Sequence, residues 1–235
     1  MNKLMTLAGI TALSWMSLSA FGAQSITHGA YIRAEIGSGG MSTASINDVL
    51  PAYEPSLGLR QDNSFNLGGV SPGITIGYLF EAPLFAYGLE LGYYHFTNNH
   101  YDAVYGSTNQ SLNVSYKGYP INLLAVARYT YNQVLSIYAR AGMSYQCQTL
   151  EAHLVENGVI TELNHTNKQV LPALGAGLGY HFGQHWEVGA NFLHAFGKKA
   201  NYQWGSSSLS QTQIAKEANQ VASTNIASLS ATYNF

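Results

Sequence analysis

Six charged residues occupy positions that an extended strand would turn away from its apolar side chains. The chain has 235 residues, of which only 9% are Asp, Glu, Lys or Arg, against roughly a quarter in an ordinary soluble domain. These six lie in stretches that alternate apolar and polar residues, always at the polar positions: Arg33, Glu35, Glu90, Arg128, Arg140 and Glu187. Charges inside one narrow interior are costly unless paired and hydrogen-bonded, so we expect mutual ion pairs that fill it.

The same six groups could support other chemistry. They could line a gated pore, or two of the carboxylates could form a catalytic pair. Paired charges with no His or Ser beside them have no evident nucleophile, so we favour the structural interpretation. Three glycines at inward positions, Gly175, Gly177 and Gly179, would leave room for bulky neighbouring side chains.

Other residues that could act in catalysis or bind metal lack the context for it. His194 is the one candidate base, but Ala195 and Phe196 follow it and supply no hydroxyl nucleophile. His181 and His185 are four residues apart, but they flank a predicted tight turn and do not lie on a helix, and no histidine has the cysteine partners of a zinc site. The formal charge is −2 and there is no basic block, which argues against nucleic acid. We therefore expect no catalytic residue, metal or cofactor.

Eight alternating segments position these groups. In the first, Ile32, Ala34 and Ile36 share one face, and Arg33 and Glu35 share the other, as expected for a strand with one apolar face. The full set is 31–37, 73–79, 85–93, 121–129, 135–143, 174–180, 186–192 and 228–235. A helical membrane bundle is excluded because no run of about 18 apolar residues is present.

The connections between segments alternate between short and long. Tight turns fall at 81–83, 131–133 and 183–185, and the long connections cover 38–67, 95–118, 145–170 and 194–225. This alternation is typical of a bacterial outer-membrane barrel with short periplasmic turns and long extracellular loops. An open edge would leave unpaired backbone groups in hydrocarbon. We therefore predict an all-β, eight-stranded antiparallel up-and-down transmembrane barrel.

Aromatic residues gather at the ends of the segments that the short turns join. Amphipathic aromatic rings favour the lipid headgroup region, so these residues predict an aromatic belt at the periplasmic rim of the barrel. The set is Tyr78, Phe80, Tyr87, Tyr129, Tyr180 and Trp186.

The first residues are typical of a secretory signal peptide. Lys3 precedes an apolar stretch, and Ala20 and Gly22 fit a small-x-small cleavage site. Cleavage after Ala23 is the alternative. We expect a cleaved signal peptide at 1–22 and a single barrel domain at 23–235. Cys147 is the only cysteine, so no intramolecular disulfide can form.

The last segment carries alternate hydrophobic residues and ends in Phe: Leu229, Ala231, Tyr233 and Phe235. With the signal peptide, the eight segments and the alternating connections, it resembles the eight-stranded OmpA-like or opacity-type outer-membrane barrels. The resemblance implies a bacterial outer-membrane location, contact with its lipid, and the barrel-assembly machinery as a partner that reads this final strand. Because nothing follows Phe235, we expect no periplasmic peptidoglycan-binding domain.

Three functions are compatible with such a barrel, since fold does not decide function. The favoured one is a non-enzymatic surface scaffold for envelope integrity, adhesion or host contact, with host surface molecules as candidate partners. The alternatives are a small passive pore and, with less support, a lipid A-modifying enzyme. Lys198 and Lys199, at the outer end of the seventh segment, could contact lipopolysaccharide phosphates or be solvated charges at the rim.

Overall fold

The barrel is a closed, all-antiparallel sheet in which eight strands form the wall. The computed structural model describes residues 28–41, 69–105, 110–156, 159–198 and 221–235. The strands are β1 (Gly29–Met41), β2 (Gly69–Glu81), β3 (Ala86–Tyr94), β4 (Phe96–Tyr105), β5 (Gln110–Tyr131), β6 (Leu135–Glu156), β7 (Val159–Phe182), β8 (Trp186–Ala195) and β9 (Thr224–Asn234). Both β3 and β4 pair with β5, so they are two parts of one wall strand interrupted at His95.

Closure joins the first strand to the last, as the sequence predicted. β1 pairs with β9 from Tyr31 opposite Asn234 to Met41 opposite Thr224. Every backbone group in the wall can therefore pair within the sheet, which hydrocarbon requires. No helix in the described ranges is long and apolar enough to cross a membrane.

Side-chain direction follows the predicted alternation. Leu89 and Leu229 are 59% and 65% exposed on the outer face, whereas Glu90 is 2% exposed inside. The apolar outer face contacts lipid tails. Apolar side chains therefore lie outside and polar side chains inside, opposite to the arrangement in a soluble protein.

The periplasmic connections are tight, as predicted. Asn132 and Gln133, between β5 and β6, have φ of 49° and 58°, the left-handed conformation that the primed hairpin turns require. The amide of Val134 donates to the carbonyl of Tyr131 at 3.1 Å and closes this turn. The turn fixes the register of the two strands that carry Arg128 and Arg140.

Two of the four long connections are mostly strand, which corrects the predicted bounds. Within 95–118, β4 and β5 pair as far as Tyr105 opposite Gln110, and within 145–170, β6 and β7 pair as far as Glu156 opposite Val159. Beyond the bilayer both faces of a sheet meet water, so hydrophobic alternation stops although backbone pairing continues.

A short sequence signal for the longer of these hairpins was missed. Asn157 and Gly158 separate β6 from β7, and Asn-Gly is the pair most favoured in two-residue hairpin turns. The predicted signal peptide at 1–22 and Lys199 lie outside the described residues.

Candidate functional site

The candidate site is the lumen, where the structure places all six charged residues singled out in the sequence. Each is between 2% and 6% exposed, and together they point inward from five strands of the wall. Their strands are β1 for Arg33 and Glu35, β3 for Glu90, β5 for Arg128, β6 for Arg140 and β8 for Glu187. They meet in two adjoining clusters, one around each of the carboxylates Glu90 and Glu187.

Glu90 lies at the centre of the first cluster. The Arg33 guanidinium donates to both of its oxygens, from Nη1 at 3.2 Å and from Nη2 at 2.9 Å. Arg140 donates from Nε at 2.9 Å, and the Tyr31 hydroxyl donates at 2.5 Å. A carboxylate that accepts from two guanidinium groups in a dry interior is held in a fixed position.

Glu35 extends this cluster towards the extracellular end. Its Oε1 accepts from Arg33 Nε at 3.0 Å, Thr75 Oγ1 at 3.1 Å and the Tyr94 hydroxyl at 2.7 Å. Its Oε2 accepts from Ser228 Oγ at 2.6 Å. The two carboxylates thus share Arg33, and Arg33 and Arg140 together balance the two negative charges.

The second cluster forms around Glu187 at the periplasmic end. The Tyr138 hydroxyl donates to Glu187 Oε1, and Arg128 Nη1 lies 3.5 Å from Oε2. His181 Nε2 lies 3.0 Å from the same oxygen and 2.7 Å from Ser136 Oγ. All of these residues are buried.

The ring of Tyr138 joins the two clusters. The guanidinium carbons of Arg140 and Arg128 lie 4.8 Å and 5.9 Å from its centroid, within the range of a cation–π contact. Arg140 Nη1 also donates to Asn191 Oδ1 at 2.9 Å. The charged residues therefore form one connected network across the lumen.

Sequence reasoning missed the neutral partners of this network. Tyr31, Tyr94 and Tyr138 supply hydroxyl donors to the three carboxylates, and His181 contacts Glu187. The signal that could have identified them is their inward parity, which the three tyrosines share with charges on the same strands and His181 shares with the inward glycines of β7.

Two of the three inward glycines make space for the network. A Cβ at Gly179 would lie 2.5 Å from Glu187 Cδ, and one at Gly177 would lie 3.0 Å from Arg140 Nη1. A side chain at either position would displace the Glu187 carboxylate or the Arg140 guanidinium, so glycine leaves room where the charged groups approach the wall.

An apolar layer, which the sequence reasoning did not expect, lies between the network and the extracellular mouth. It consists of inward side chains that are at most 8% exposed: Met41, Phe96, Leu171, Leu193, Val221 and Ile226. A Cβ at Gly118 on β5 would lie 2.8 Å from the Met41 methyl carbon, so Met41 reaches from β1 to a distant part of the wall. Above the charges, the lumen therefore contains this apolar layer together with buried polar side chains such as Gln146, Gln148 and Thr224.

Residues 221–223 are anchored over this apolar layer. The side-chain amide of Gln148 donates to the Ala222 carbonyl at 3.0 Å and accepts from the Ala222 amide at 2.9 Å. Ser223 Oγ accepts from the Gly197 amide at 2.9 Å, and the Lys198 amide donates to the Val221 carbonyl at 2.9 Å. These contacts fix both ends of the last long connection at the mouth.

The residues assigned to the periplasmic rim lie on the outer face at the turn end of the strands. Tyr78 and Phe80 are 4.9 Å apart between ring centroids, and Phe80 and Tyr87 are 5.8 Å apart. The whole set is about half exposed: Tyr78, Phe80, Tyr87, Tyr129, Tyr180 and Trp186.

The final strand presents its alternate hydrophobic residues outward. Leu229, Ala231 and Phe235 are exposed, and Tyr233 is half-buried between Trp186 and Phe235, at 5.1 Å and 5.2 Å. The Phe235 amide donates to the Ala30 carbonyl at 3.0 Å, so the terminus is paired with the first strand.

The arrangement has little that resembles an active site. The same nitrogen of His181 faces both Ser136 and Glu187, whereas a serine relay needs the base and its orienting carboxylate on opposite ring nitrogens. His194 contacts Asn225 Oδ1 at 2.7 Å, and its ring lies 4.3 Å from that of Phe196. The described residues contain no group of three or more metal-ligating side chains.

Residues 6–235 match the family described as outer membrane protein beta-barrel domain. The chain belongs to this family. It resides in the bacterial outer membrane, and its eight-stranded fold agrees with the OmpA-like resemblance seen in the sequence. No curated protein matches it in sequence.

Similar solved structures are outer-membrane barrels at low sequence identity. The attachment invasion locus protein Ail of Yersinia pestis is 13% identical, with 89% of this chain and 100% of that chain covered and a TM-score of 0.45. The N-terminal barrel of Pseudomonas aeruginosa OprF is 14% identical, with 88% and 98% covered and a TM-score of 0.42. The outer membrane protease OmpT of Escherichia coli is 11% identical, with 92% and 100% covered and a TM-score of 0.48.

Proposed function

We propose that this outer-membrane barrel is a non-enzymatic surface scaffold that serves envelope integrity and adhesion or host contact. The observation that carries the proposal is the filled lumen, in which Glu90 is bound by Arg33 and Arg140 below a layer of buried apolar side chains. A rigid barrel with a filled interior leaves function to its outer face and extracellular segments.

The filled lumen supports a scaffold over the alternative of a passive pore. A cavity of about 10 Å³ lies among Arg33, Glu90, Asn122 and Arg140, which is room for about one water molecule. An ion crossing the lumen would have to displace the charge network and then pass the apolar layer. Eight-stranded barrels have interiors just wide enough to be filled by side chains.

The same residues weigh against an enzyme that modifies lipid A. His194 is oriented by the neutral Asn225 and packs against Phe196, with no hydroxyl or carboxylate at hydrogen-bond distance among the contacts in the described part of the chain. Ser136 and His181 are 0% and 4% exposed, so a lipid could not reach them without opening the wall.

Two partners are part of the proposal. Lys198 is exposed on the outer face beyond Phe196, where its ammonium group can contact lipopolysaccharide phosphates together with the neighbouring Lys199. The outward residues of the last strand, ending in Phe235, serve as the recognition signal for the barrel-assembly machinery.

Single-channel conductance in a planar bilayer tests the closed lumen. We expect no conductance from the wild-type barrel. Arg140→Ala removes one side of the network and Ile226→Ala thins the apolar layer; each alone should stay closed or open only briefly, because the other barrier remains. Steady conductance of the wild type would show a small pore and contradict the scaffold.

Replacement of 199–220 by a short linker tests the surface role. We expect the barrel to fold, because the wall and the contacts at Gly197 and Ala222 remain, and we expect attachment to host cells or detergent resistance of the envelope to fall. If neither changes in this variant or in one shortened at 106–109, the scaffold proposal is wrong. Unaltered lipid A on overexpression would agree with a non-enzymatic role.

A further inference from the structure

A polar pair lies on the lipid-facing side of the wall, near the extracellular end of β8. His194 on β8 and Asn225 on β9 are opposite each other, and both side chains are half-buried on the outer face. The residue opposite His194 on β7 is Leu174, and Phe192 and Phe196 come before and after His194 on the same face. These three apolar residues are each about half exposed, so the polar pair lies within the apolar belt and not above it.

An ionisable side chain in this position is costly. Lipid tails offer no hydrogen-bond partner, and an ionisable residue inside a membrane-spanning segment usually marks a functional site. The charge network of the lumen does not use His194, because this side chain lies on the opposite face of β8 from Glu187. A ligand on the lipid side of the wall would supply the partners that lipid tails lack.

The hydrogen bond within the pair determines what it offers to such a ligand. His194 Nδ1 lies 2.7 Å from Asn225 Oδ1. Since a carbonyl oxygen only accepts, Nδ1 carries the hydrogen, and Nε2 of the neutral ring is an acceptor. In the described part of the chain, neither His194 Nε2 nor Asn225 Nδ2 has a hydrogen-bond partner. The pair therefore offers one acceptor and one donor group to a molecule in the bilayer.

The wall beside the pair is open on the side of β1. Gly40 lies opposite Asn225, and nothing in the described ranges lies within 4 Å of the position that a Cβ of Gly40 would occupy. A ligand can therefore reach the Asn225 amide without displacing a side chain. Lys198 is exposed on the extracellular side of His194, where its ammonium group can contact a phosphorylated head group.

An amide-linked acyl chain has the groups that match the pair. Its N–H can donate to His194 Nε2, whereas an ester has no N–H and would leave Nε2 without a donor. Lipopolysaccharide, the lipid of the outer leaflet, attaches acyl chains to phosphorylated glucosamine through amides. Glycerophospholipids attach both of their chains through esters. The pair is therefore complementary to the lipid that lies on the same side of the membrane.

We propose that His194 and Asn225 form a binding site for an amide-linked acyl chain of lipopolysaccharide. The amide N–H donates to His194 Nε2, and an oxygen of the same lipid accepts from Asn225 Nδ2. The inference rests on the lipopolysaccharide contact proposed above for Lys198 and deepens it. It adds a selectivity that a contact with phosphate alone cannot supply, namely for amide-linked over ester-linked lipid.

A matched pair of synthetic lipids tests the proposal. Both carry the same tetradecanoyl chain on a sugar phosphate, one through an amide to glucosamine and the other through an ester to glucose. Native mass spectrometry of the full barrel in detergent micelles measures the affinity for each probe. We expect the amide probe to bind about tenfold more tightly, because it makes one additional hydrogen bond away from water.

Four variants separate the polar pair from the phosphate contact. His194→Phe removes the acceptor, and Asn225→Leu removes the group that fixes the hydrogen on Nδ1, so each should reduce the tenfold ratio to about one. Phe192→Leu, on the same face of β8, keeps the pair and should keep the wild-type ratio. Lys198→Ala should weaken both probes alike and leave the ratio unchanged. Both probes are measured on the same preparation, so a misfolded fraction does not change the ratio.

Three results would overturn the inference. Equal binding of the two probes to the wild type would show that nothing selects the amide. An amide preference that survives both His194→Phe and Asn225→Leu would place the selection elsewhere on the wall. A dimer of the barrel that His194→Phe abolishes, without any amide preference, would mean that a second copy occupies the pair.

The same measurements distinguish this failure from failure of the proposed function. If Lys198→Ala weakens both probes although the wild type shows no amide preference, the phosphate contact stands and only the acyl-chain site is excluded. The scaffold proposal is tested separately, by replacement of 199–220.

Discussion

Replacement of Glu90 by Gln should destabilise the barrel more than any other conservative change in the lumen. Glu90 accepts from Arg33 at two positions, from Arg140 and from Tyr31, and it is 2% exposed. The amide keeps the shape but removes the negative charge and places an N–H group against a guanidinium. Arg33 retains Glu35, but Arg140 retains only neutral partners, Asn191 and the ring of Tyr138.

The expected cost follows from this unbalanced charge. Removing one partner of a buried ion pair typically costs about 3–5 kcal/mol in the free energy of unfolding. The unfolding equilibrium constant should therefore rise by about two to four orders of magnitude. Urea-induced unfolding in lipid vesicles, followed by tryptophan fluorescence, measures it.

The Lys117–Glu151 pair provides the matched control. Its atoms are 2.6 Å apart, closer than those of the lumen pairs, but its side chains are 42% and 27% exposed. Glu151→Gln should therefore cost roughly 0.2–1 kcal/mol, because an exposed pair is screened by water. If Glu90→Gln costs no more than Glu151→Gln, the lumen is hydrated and the argument for a filled interior fails.

Three further changes test other contacts. Gly179→Val places a Cβ 2.5 Å from Glu187 Cδ, and we expect a loss of about 1–3 kcal/mol in the same urea assay, whereas Gly40→Val on β1, where nothing lies within 4 Å of an added Cβ, should cost less. Tyr138→Phe removes the hydroxyl donor to Glu187 and should cost about 1–3 kcal/mol, an expectation that wild-type stability would contradict. Phe235→Ala should slow insertion by purified assembly machinery more than it slows spontaneous insertion into vesicles; equal slowing would indicate a packing effect instead.

The sequence predicted the fold because the bilayer imposes a strict pattern on each wall strand. Ile74, Leu89 and Leu174 had to face lipid, so the opposite parity had to face the lumen, and the buried charges follow from that. The partner of each charge could not be predicted. Which side chains meet across the lumen depends on the stagger of the strands around the barrel, and Arg140 reaches Glu90 two wall strands away.

The alternation of apolar and polar residues did not identify the parts of the strands that lie outside the bilayer. Residues 110–118 and 147–156 pair as strands in water, where no apolar face is required, so their polar composition indicated loops. The inward Leu193 and Ile226 were overlooked for the related reason that the inner face was taken to be polar throughout. Inside a narrow barrel, packing volume matters as much as polarity.

The anchored ends of the last extracellular connection have a practical consequence. Gly197 and Ser223 are held together by hydrogen bonds in both directions, and Ala222 is held to Gln148 independently of 199–220. A foreign polypeptide inserted between these points would begin and end at fixed positions on the cell surface. Each doubling of its length should cost only about 0.6 kcal/mol of closure entropy. The barrel is therefore suited to displaying antigens or binding domains on living bacteria.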